Sequence, residues 1–275
     1  MAGDWYIEAF RADYLDLYAH RDAEDAARAV WFIRDIIPVE ILSPGAPMLD
    51  CACGAGRHLL PLRLEGMAAV GIDLSLDLLR HSLDKAGATG AGGGGHPAEA
   101  CVAATNERRA ALPVACADMR VLPFGDGAFA VVLSLFTSFG YFEGDEENLR
   151  VMREFARVLR PGGRLILDFL NAPRVRGRLV ARSERALADG GRLIEERSIA
   201  GGRGLSGGDR VIKRAQRVWA DGRVREWIES VRLYEVDELE TMLSGCGLTV
   251  LSRHGDFDGS PYAPVSPRCL LVARR

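Results

Sequence analysis

Short apolar runs, each closed by a carboxylate or a glycine, alternate along this chain with stretches whose apolar positions recur every three or four residues. The first run, Met48 to Cys51, meets a sharp turn at Gly54-Ala55-Gly56, and helical spacing follows from about Arg57 to Glu65. Gly66 stops that helix. Ala68 to Asp73 is a second apolar run, and Leu74 to Leu83 a second helix with Ser75 as its cap. Val114–Asp118, Ala128–Leu135 and Arg164–Phe169 repeat the strand pattern, the middle one apolar throughout and therefore central. The acidic run Glu143–Glu147 caps a helix that reaches Leu159, and Arg160-Pro161-Gly162-Gly163 turns the chain into its next strand. After a helix at Glu235–Ser244, Leu248–Ser252 and Arg268–Ala273 read as the sixth and seventh strands, the last reached by so direct a return that it runs antiparallel. This alternation predicts an α/β fold with a doubly wound, seven-stranded, mostly parallel sheet.

Three stretches stand outside it. From about Trp5 to Ile37 the spacing is helical, with Phe10, Tyr14, Leu17 and Tyr18 on one stripe and Ala27, Val30, Trp31 and Ile33 on another. Prolines and Gly45 close this region, so residues 1–45 form an N-terminal helical cap. The cap is either packed on the sheet or, given the aromatic and basic run from Tyr14 to Arg21, a lid. Ala86 to about Leu112, with four consecutive glycines from Gly92 to Gly95, holds no regular element and reads as a surface insertion. Beyond Asn171, the arginines Arg174, Arg176, Arg178, Arg182 and Arg185 lead into three extended segments near Arg192–Ile199, Asp209–Trp219 and Val224–Tyr234. Asp221-Gly222 is a hairpin turn between the last two. Residues 46–170 and 235–275 then form the core domain, and 171–234 an inserted antiparallel sheet that serves as a substrate lid or as an oligomerisation surface for a homodimer. The arginine run reads as a solvated face, with anion binding as its alternative.

Composition narrows the setting. Of 275 residues, 48% are hydrophobic and 27% charged, which suffices for one large core. No apolar run approaches the roughly 18–20 residues that span a bilayer. The acidic, aromatic start from Met1 to Tyr6 lacks a basic leader, so a cytoplasmic protein without membrane attachment is expected. A net charge of −3 disfavours a broad nucleic-acid footprint. The six cysteines contain no C-x-x-C pair and no partner at zinc spacing, so reduced thiols and no structural metal are expected.

In a doubly wound sheet, ligands sit outside the carboxyl ends of the strands, where strand order reverses. At that edge fall Gly54 and Gly56, Asp73, Asp118, the loop Phe136–Phe142 and the loop His254–Tyr262. Asp73 follows the glycine turn by about 20 residues, the spacing of a ribose-hydroxyl acceptor. A dinucleotide would want a third glycine where Leu59 stands, to let helix and strand close around a pyrophosphate. Asp50, just ahead of the turn, repels phosphate and favours a cation. The ligand these residues suit is a positively charged nucleoside without phosphate.

The same residues resemble the class I S-adenosylmethionine-dependent methyltransferases, over essentially the whole chain. The family's first motif, an acid, three residues and Gly-x-Gly, is matched by Asp50 to Gly56. Its ribose-binding acid is matched by Asp73 in Gly71-Ile72-Asp73-Leu74-Ser75, and its adenine-side acid by Asp118 in Ala117-Asp118-Met119. Arg160-Pro161-Gly162-Gly163 is similar to the family's turn before the fifth strand. Ala52 replaces a glycine common in the first motif, so its methyl group should crowd the turn. The chain is most similar to bacterial small-molecule enzymes with a β insertion, on the run Cys53-Gly54-Ala55-Gly56-Arg57-His58 and the loop Ser138-Phe139-Gly140-Tyr141-Phe142. The resemblance implies a Rossmann-like core, S-adenosyl-L-methionine as cofactor and a small-molecule methyl acceptor. It places Cys53, Leu74, Met119, Leu135 and Phe136 around the cofactor beside the motif residues Asp50, Gly54, Gly56, Asp73 and Asp118. It also implies that Arg57, or the segment holding Tyr18 and Arg21, meets the methionine carboxylate.

Such an enzyme aligns a nucleophile with the donor methyl group and excludes water. A general base is needed only where the nucleophile arrives protonated. The candidates are His254, Asp256, Asp258 and Tyr141, with His254 best matched by its pKa and Tyr141 beside it as the second catalytic residue expected. Neither an Asn-Pro-Pro-aromatic tetrad nor a Pro-Cys pair follows the fourth strand, which disfavours methylation of base or glutamine amino groups and of cytosine C5. The expected function is methyl transfer to a nitrogen or oxygen nucleophile of a small molecule. The alternatives are an RNA methyltransferase, with the arginine run on phosphates, and a non-catalytic protein that binds the cofactor or its product.

Overall fold

The computed structural model describes residues 4–11, 14–17, 23–43, 45–88, 112–201 and 208–275, the side chains of 16, 23 and 84–88 excepted. Three helices come first, α1 (Trp5–Ala9), α2 (Tyr14–Leu17) and α3 (Ala23–Ile36). The alternating part follows as β1 (Pro47–Cys51), α4 (Leu59–Leu64), β2 (Ala68–Asp73), α5 (Leu76–Ala88), β3 (Val114–Cys116), β4 (Phe129–Ser134), α6 (Asp145–Val158) and β5 (Leu159–Phe169). Then come α7 (Ala172–Arg178) and four strands, β6 (Arg182–Ala186), β7 (Arg192–Ala200), β8 (Arg210–Val218) and β9 (Val224–Arg232). The chain returns through α8 (Val236–Gly245), β10 (Thr249–His254) and β11 (Cys269–Arg274).

The main sheet has the order β10-β11-β5-β4-β1-β2-β3, and β6-β7-β8-β9 form a separate antiparallel sheet. Strands β1 to β5 pair in parallel, and β11 runs antiparallel to both β5 and β10. Every residue of β4 is buried, as a central strand covered by helices on both faces requires. Strand order turns back at β1, whose neighbours are β4 and β2, so the ligand crevice lies beyond the carboxyl ends of β1 and β4. Among the described residues, no helix is long and apolar enough to cross a membrane.

Several elements differ from the sequence pattern. The described residues of the N-terminal region hold three helices, and on α3 the stripe facing the core is Ala26, Ala29, Val30 and Ile33, continued by Ile37 just past its end, while Ala27 is exposed and Trp31 is 70% exposed. Alanines lie on both stripes, so periodicity alone could not choose between them. Helix α5 starts with Ser75 Oγ accepting the Leu78 N–H at 3.3 Å and runs on to Ala88, into the stretch read as an insertion. Residues 89–111 of that stretch lie outside the described residues. The Arg160–Gly163 turn is a swelling inside β5: Leu159 pairs with Phe129 and Arg164 with Val131, with Gly162 at φ +79°. The inserted sheet has four strands where three were expected, and the arginine run also holds α7. Edge strand β6, Arg182-Ser183-Glu184-Arg185-Ala186, buries neither face, so no apolar alternation marks it.

Strand β2 presses directly on the turn after β1. A Cβ on Gly71 would lie 2.6 Å from Cys53 Sγ and 3.0 Å from Leu59 Cδ2. Gly71→Ala must therefore displace the turn, and a loss of about 1–3 kcal/mol in unfolding free energy is expected from urea denaturation. An unchanged midpoint would show that the turn yields freely.

Candidate functional site

Beyond the carboxyl ends of β1, β2 and β4 the described residues enclose a cavity of about 1180 Å³. Its floor is the turn after β1, where Gly54 and Gly56 adopt φ of +55° and +71°. A Cβ on Gly56 would meet Leu112 Cδ1 at 3.2 Å and Ser82 Cβ at 3.3 Å, so backbone angle and space both demand glycine. Ala52 also sits at positive φ, 62°. The strain expected of its methyl group is therefore one of backbone angle, about 1 kcal/mol. Ala52→Gly should raise stability by up to about 1 kcal/mol, measured by urea unfolding, because relief of that strain exceeds the added freedom of the unfolded chain. A destabilised variant would contradict this.

Two carboxylates, Asp50 and Asp73, meet at the turn, and a third, Asp118, lines the same cavity. Asp50 is 1% exposed, its Oδ2 has no hydrogen-bond partner, and burial, reinforced by the charge of Asp73 and opposed by Arg57, pushes its carboxyl up to about 7. Asp73 at the end of β2 accepts the Gly54 N–H on Oδ2 and the Ser75 N–H on Oδ1, both at 2.8 Å. It thus ties the glycine turn to the start of α5. Asp118 follows β3 and is gripped by the Arg120 guanidinium, whose Nη2 lies 2.6 Å from Oδ2. Burial pushes the Asp118 carboxyl up, and Arg120 more than offsets it, leaving it below the usual carboxylate value.

At the end of β4, Phe136 and Thr137 both adopt left-handed backbone, φ 55° and 60°. Asp168 near the end of β5 holds them there: its Oδ2 accepts the Phe136 N–H at 2.7 Å and its main-chain oxygen the Thr137 N–H at 3.1 Å. Arg268 closes the arrangement with an ion pair to Asp168 at 2.9 Å. The Phe136 ring carries the Arg57 guanidinium 3.8 Å from its centroid and that of Arg268 at 4.4 Å, and stacks on His58. Burial and these two cations hold the His58 pKa well below its usual value, so its ring is neutral.

One wall of the cavity is aromatic. Tyr6, Phe10 and Tyr14 from α1, α2 and the bend between them line the cavity together with Tyr141 and Phe142. Phe10 stacks on Tyr141 at 5.7 Å, Tyr6 meets Phe142 edge-on at 5.6 Å, and Ser75 Oγ donates to the Phe10 carbonyl at 2.6 Å. The N-terminal segment is thus packed on the loop after β4 and, by the same contacts, forms part of the cavity wall.

Of the residues singled out in the sequence, Asp50, Cys53, Gly54, Gly56, Arg57, Asp73, Leu74, Asp118, Met119, Leu135, Phe136 and Tyr141 all line this one cavity. Tyr18 and Arg21 lie outside the described residues. His254 is not brought there. It ends edge strand β10, with Nδ1 3.0 Å from the Gly259 oxygen, Nε2 2.9 Å from Ser252 Oγ and its ring against Phe32. Asp256 and Asp258 share that loop, where Asp256 pairs with Arg28 at 2.8 Å and Asp258 accepts the Ser260 N–H. The loop is pinned to the core by Asn171, so sequence proximity to a strand end overstated its reach to the site. In the arginine run, Arg174 donates to the Val265 carbonyl, and Arg176 and Arg182 pair with carboxylates of the fold. Sequence reading missed Asp168, although it ends a strand just as Asp50 and Asp73 do, and it missed His58 and Tyr6.

A sulfonium nucleoside fits these residues. The orphaned Asp50 oxygen offers an acceptor to a cation, and the glycine turn leaves the backbone open to close approach. The arginines on the wall, Arg11 and Arg57, are paired with Glu8 and Asp25 and assemble no cradle for a pyrophosphate. Residues 49–167 match the family described as methyltransferase domain. The chain is 30% identical over 200 residues to a dTDP-3-amino-3,4,6-trideoxy-α-D-glucopyranose N,N-dimethyltransferase of Streptomyces venezuelae, covering 66% of this chain and 72% of the relative. Its fold is similar to that of the CcbJ methyltransferase from Streptomyces caelestis, with TM-score 0.70 and 22% identity over 91% of this chain and 89% of that one. It is also similar to that of the sugar N-methyltransferase KedS8 from a Streptoalloteichus species, with TM-score 0.64 and 23% identity over 94% and 92%.

Proposed function

The chain belongs to the class I S-adenosylmethionine-dependent methyltransferases, and on that premise we propose that it methylates a nitrogen or oxygen nucleophile of a small molecule bound against the aromatic wall. The observation that carries this is the size and lining of the cavity beyond the carboxyl ends of β1, β2 and β4. Its volume of about 1180 Å³ exceeds the ~300–1,000 Å³ of an ordinary ligand site. The acidic turn accounts for one end, and the aromatic side chains enclose the remainder. Asp73 would hold the ribose hydroxyls, Asp118 the adenine side and Asp50 the cationic end of S-adenosyl-L-methionine.

The bound cofactor supplies an electrophilic methyl group on a sulfonium, so the chain itself need not activate a leaving group. What the residues contribute is orientation and exclusion of water. Phe10, Tyr141 and Phe142 surround the acceptor space with ring faces that favour a cationic or polarised centre over an anion. Tyr141 is the titratable side chain of the wall's loop and orients the acceptor by accepting its N–H or O–H. An amine acceptor attacks in its neutral form and releases its proton to solvent after transfer, which leaves no requirement for a strong base.

The test is transfer of label from methyl-labelled cofactor to a panel of amines and alcohols. Amino sugars and their nucleotide conjugates come first, because the Streptomyces venezuelae relative is named for such an acceptor. Labelled product from at least one amino- or hydroxyl-bearing small molecule is expected, with turnover lowered in Tyr141→Phe. Tight product binding with no transfer to any panel member would favour a cofactor-binding sensor instead.

A further inference from the structure

The inserted sheet reaches the aromatic wall through one side chain. Arg210, at the start of β8, is half-buried and donates from Nη1 to the Phe142 carbonyl at 3.0 Å and from Nη2 to the Tyr141 carbonyl at 3.2 Å. The same guanidinium is anchored in the sheet, with Nε on Ser230 Oγ at 2.8 Å and Nη2 on the Ser230 carbonyl at 2.7 Å. All four bonds go to neutral oxygens. Withdrawing a cation from water without a carboxylate partner is costly unless its fork is fully used, and charge-assisted bonds to carbonyls are what offset that cost here.

Two other segments meet on the same carbonyls. Trp5 Nε1 of α1 donates to the Tyr141 oxygen at 3.2 Å, and Asn148 Nδ2 of α6 to the Phe142 oxygen at 3.2 Å. Beside them, the Arg232 N–H at the end of β9 donates to the Gly140 carbonyl at 2.8 Å. Gly140 has φ +84°, and a Cβ there would lie 3.3 Å from both the Arg232 carbonyl and the Phe169 ring. The loop has been shaped to receive the strand. Its next two residues, Tyr141 and Phe142, put their side chains on the cavity.

We propose that Arg210 is a positioning residue for the methyl acceptor: through the Tyr141 and Phe142 carbonyls, the inserted sheet sets the position of the aromatic wall and thereby the shape of the acceptor space. This rests on the reading that the acceptor binds against that wall. It assigns the insertion a share in acceptor choice without direct contact with the acceptor, since Arg210 holds main chain while the rings do the recognising. Lysine cannot substitute, because a single ammonium lacks the planar fork that spans Ser230 and two successive carbonyls.

The test compares wild type with Arg210→Lys and, as a milder cut at the same node, Trp5→Phe. Three probes are used: S-adenosylhomocysteine, an analogue in which a methyl-bearing nitrogen replaces the sulfur, and the same analogue with a cyclohexylmethyl arm in place of that methyl group. In wild type the arm should improve affinity at least tenfold over the methyl-bearing nitrogen analogue. In Arg210→Lys that gain should shrink to less than threefold while S-adenosylhomocysteine affinity stays within threefold. Amide hydrogen exchange over residues 139–143 should rise at least tenfold, with β1 and β4 unchanged, and Trp5→Phe should shift both readouts in the same direction but less. Added ethylguanidinium should restore protection in an Arg210→Ala protein. A full gain from the arm in Arg210→Lys, or exchange that rises equally across the whole chain, would overturn the proposal. A wild type that gains nothing from the arm would instead overturn the acceptor site itself.

Discussion

Asp50→Asn should make the protein more stable than wild type at pH 8 and at the same time weaken its hold on S-adenosylhomocysteine. Burial, and secondarily the charge of Asp73, push the Asp50 carboxyl up to about 7. In the unfolded chain the same group ionises near 4. The folded protein therefore binds this proton more tightly, and stability falls as pH rises from about 4 to about 7, the full penalty persisting above that window. The displacement corresponds to a penalty on the order of 4 kcal/mol at pH 8. Asparagine cannot ionise, and after its own unmet hydrogen bonds a net gain of about 2 kcal/mol remains. Asp168, pushed up to about 6 chiefly by burial, adds a slope of the same sign, and His58, held well below its usual value chiefly by burial, adds one of opposite sign over the same interval, so Asp50 is read from the difference between wild type and Asp50→Asn. Binding should move the other way. An ammonium opposite Asp50 draws it into its charged form, so wild-type affinity should climb through pH 7 with release of about one proton. The variant should bind about tenfold more weakly and release none. Urea unfolding of both proteins from pH 5 to 8 and calorimetry in two buffers of different ionisation enthalpy measure both, and a stability difference between wild type and Asp50→Asn that does not change between pH 5 and 8 would sink the idea.

Asp73→Ala should damage folding and binding together. Its two carboxylate oxygens accept the Gly54 and Ser75 N–H groups at 2.8 Å, so removal leaves two donors unmet at the base of the cavity. Each such loss costs about 1–3 kcal/mol, and a fall in stability of about 2–4 kcal/mol is expected. Because the same change frees the glycine turn and deletes the carboxylate proposed to hold the ribose hydroxyls, S-adenosylhomocysteine affinity should drop on the order of 100-fold, or ~2.7 kcal/mol. Asp73→Asn retains one acceptor oxygen and should fall between. Scanning calorimetry and titration separate the two roles: a variant with wild-type melting but lost binding would make Asp73 a ligand contact alone, and one that binds normally would remove it from the site.

Both predictions concern residues that the chain's pattern already exposes, and the reason is local. A carboxylate closing an apolar run, followed by a turn that only glycine can make, is written within a few positions, because strand and helix periods translate directly into which residues reach the sheet edge. The same locality explains the misreadings. On α3, alanines on adjacent stripes blurred the inward face and left Trp31 facing water. β6 gave no alternation because neither of its faces is buried.

By itself, then, the sequence determined the doubly wound sheet and the family with its cofactor, and it picked out Asp50, Gly54, Gly56, Asp73 and Asp118, which the fold gathers along one cavity. Only the tertiary structure decided the aromatic wall of the cavity. The contacts that build that wall and hold the Phe136 turn beside it join residues far apart in the chain: Trp5 to Tyr141 across 136 positions, Arg210 to Phe142 across 68, Arg268 to Asp168 across 100. No period or motif encodes such pairs, since each partner is unremarkable in its own neighbourhood and acquires its role when separate elements pack. His254 is the converse case. A histidine at the end of a strand beside the crevice looks poised for proton transfer, yet the strand lies at the sheet's far edge and its ring turns to Phe32 and Gly259.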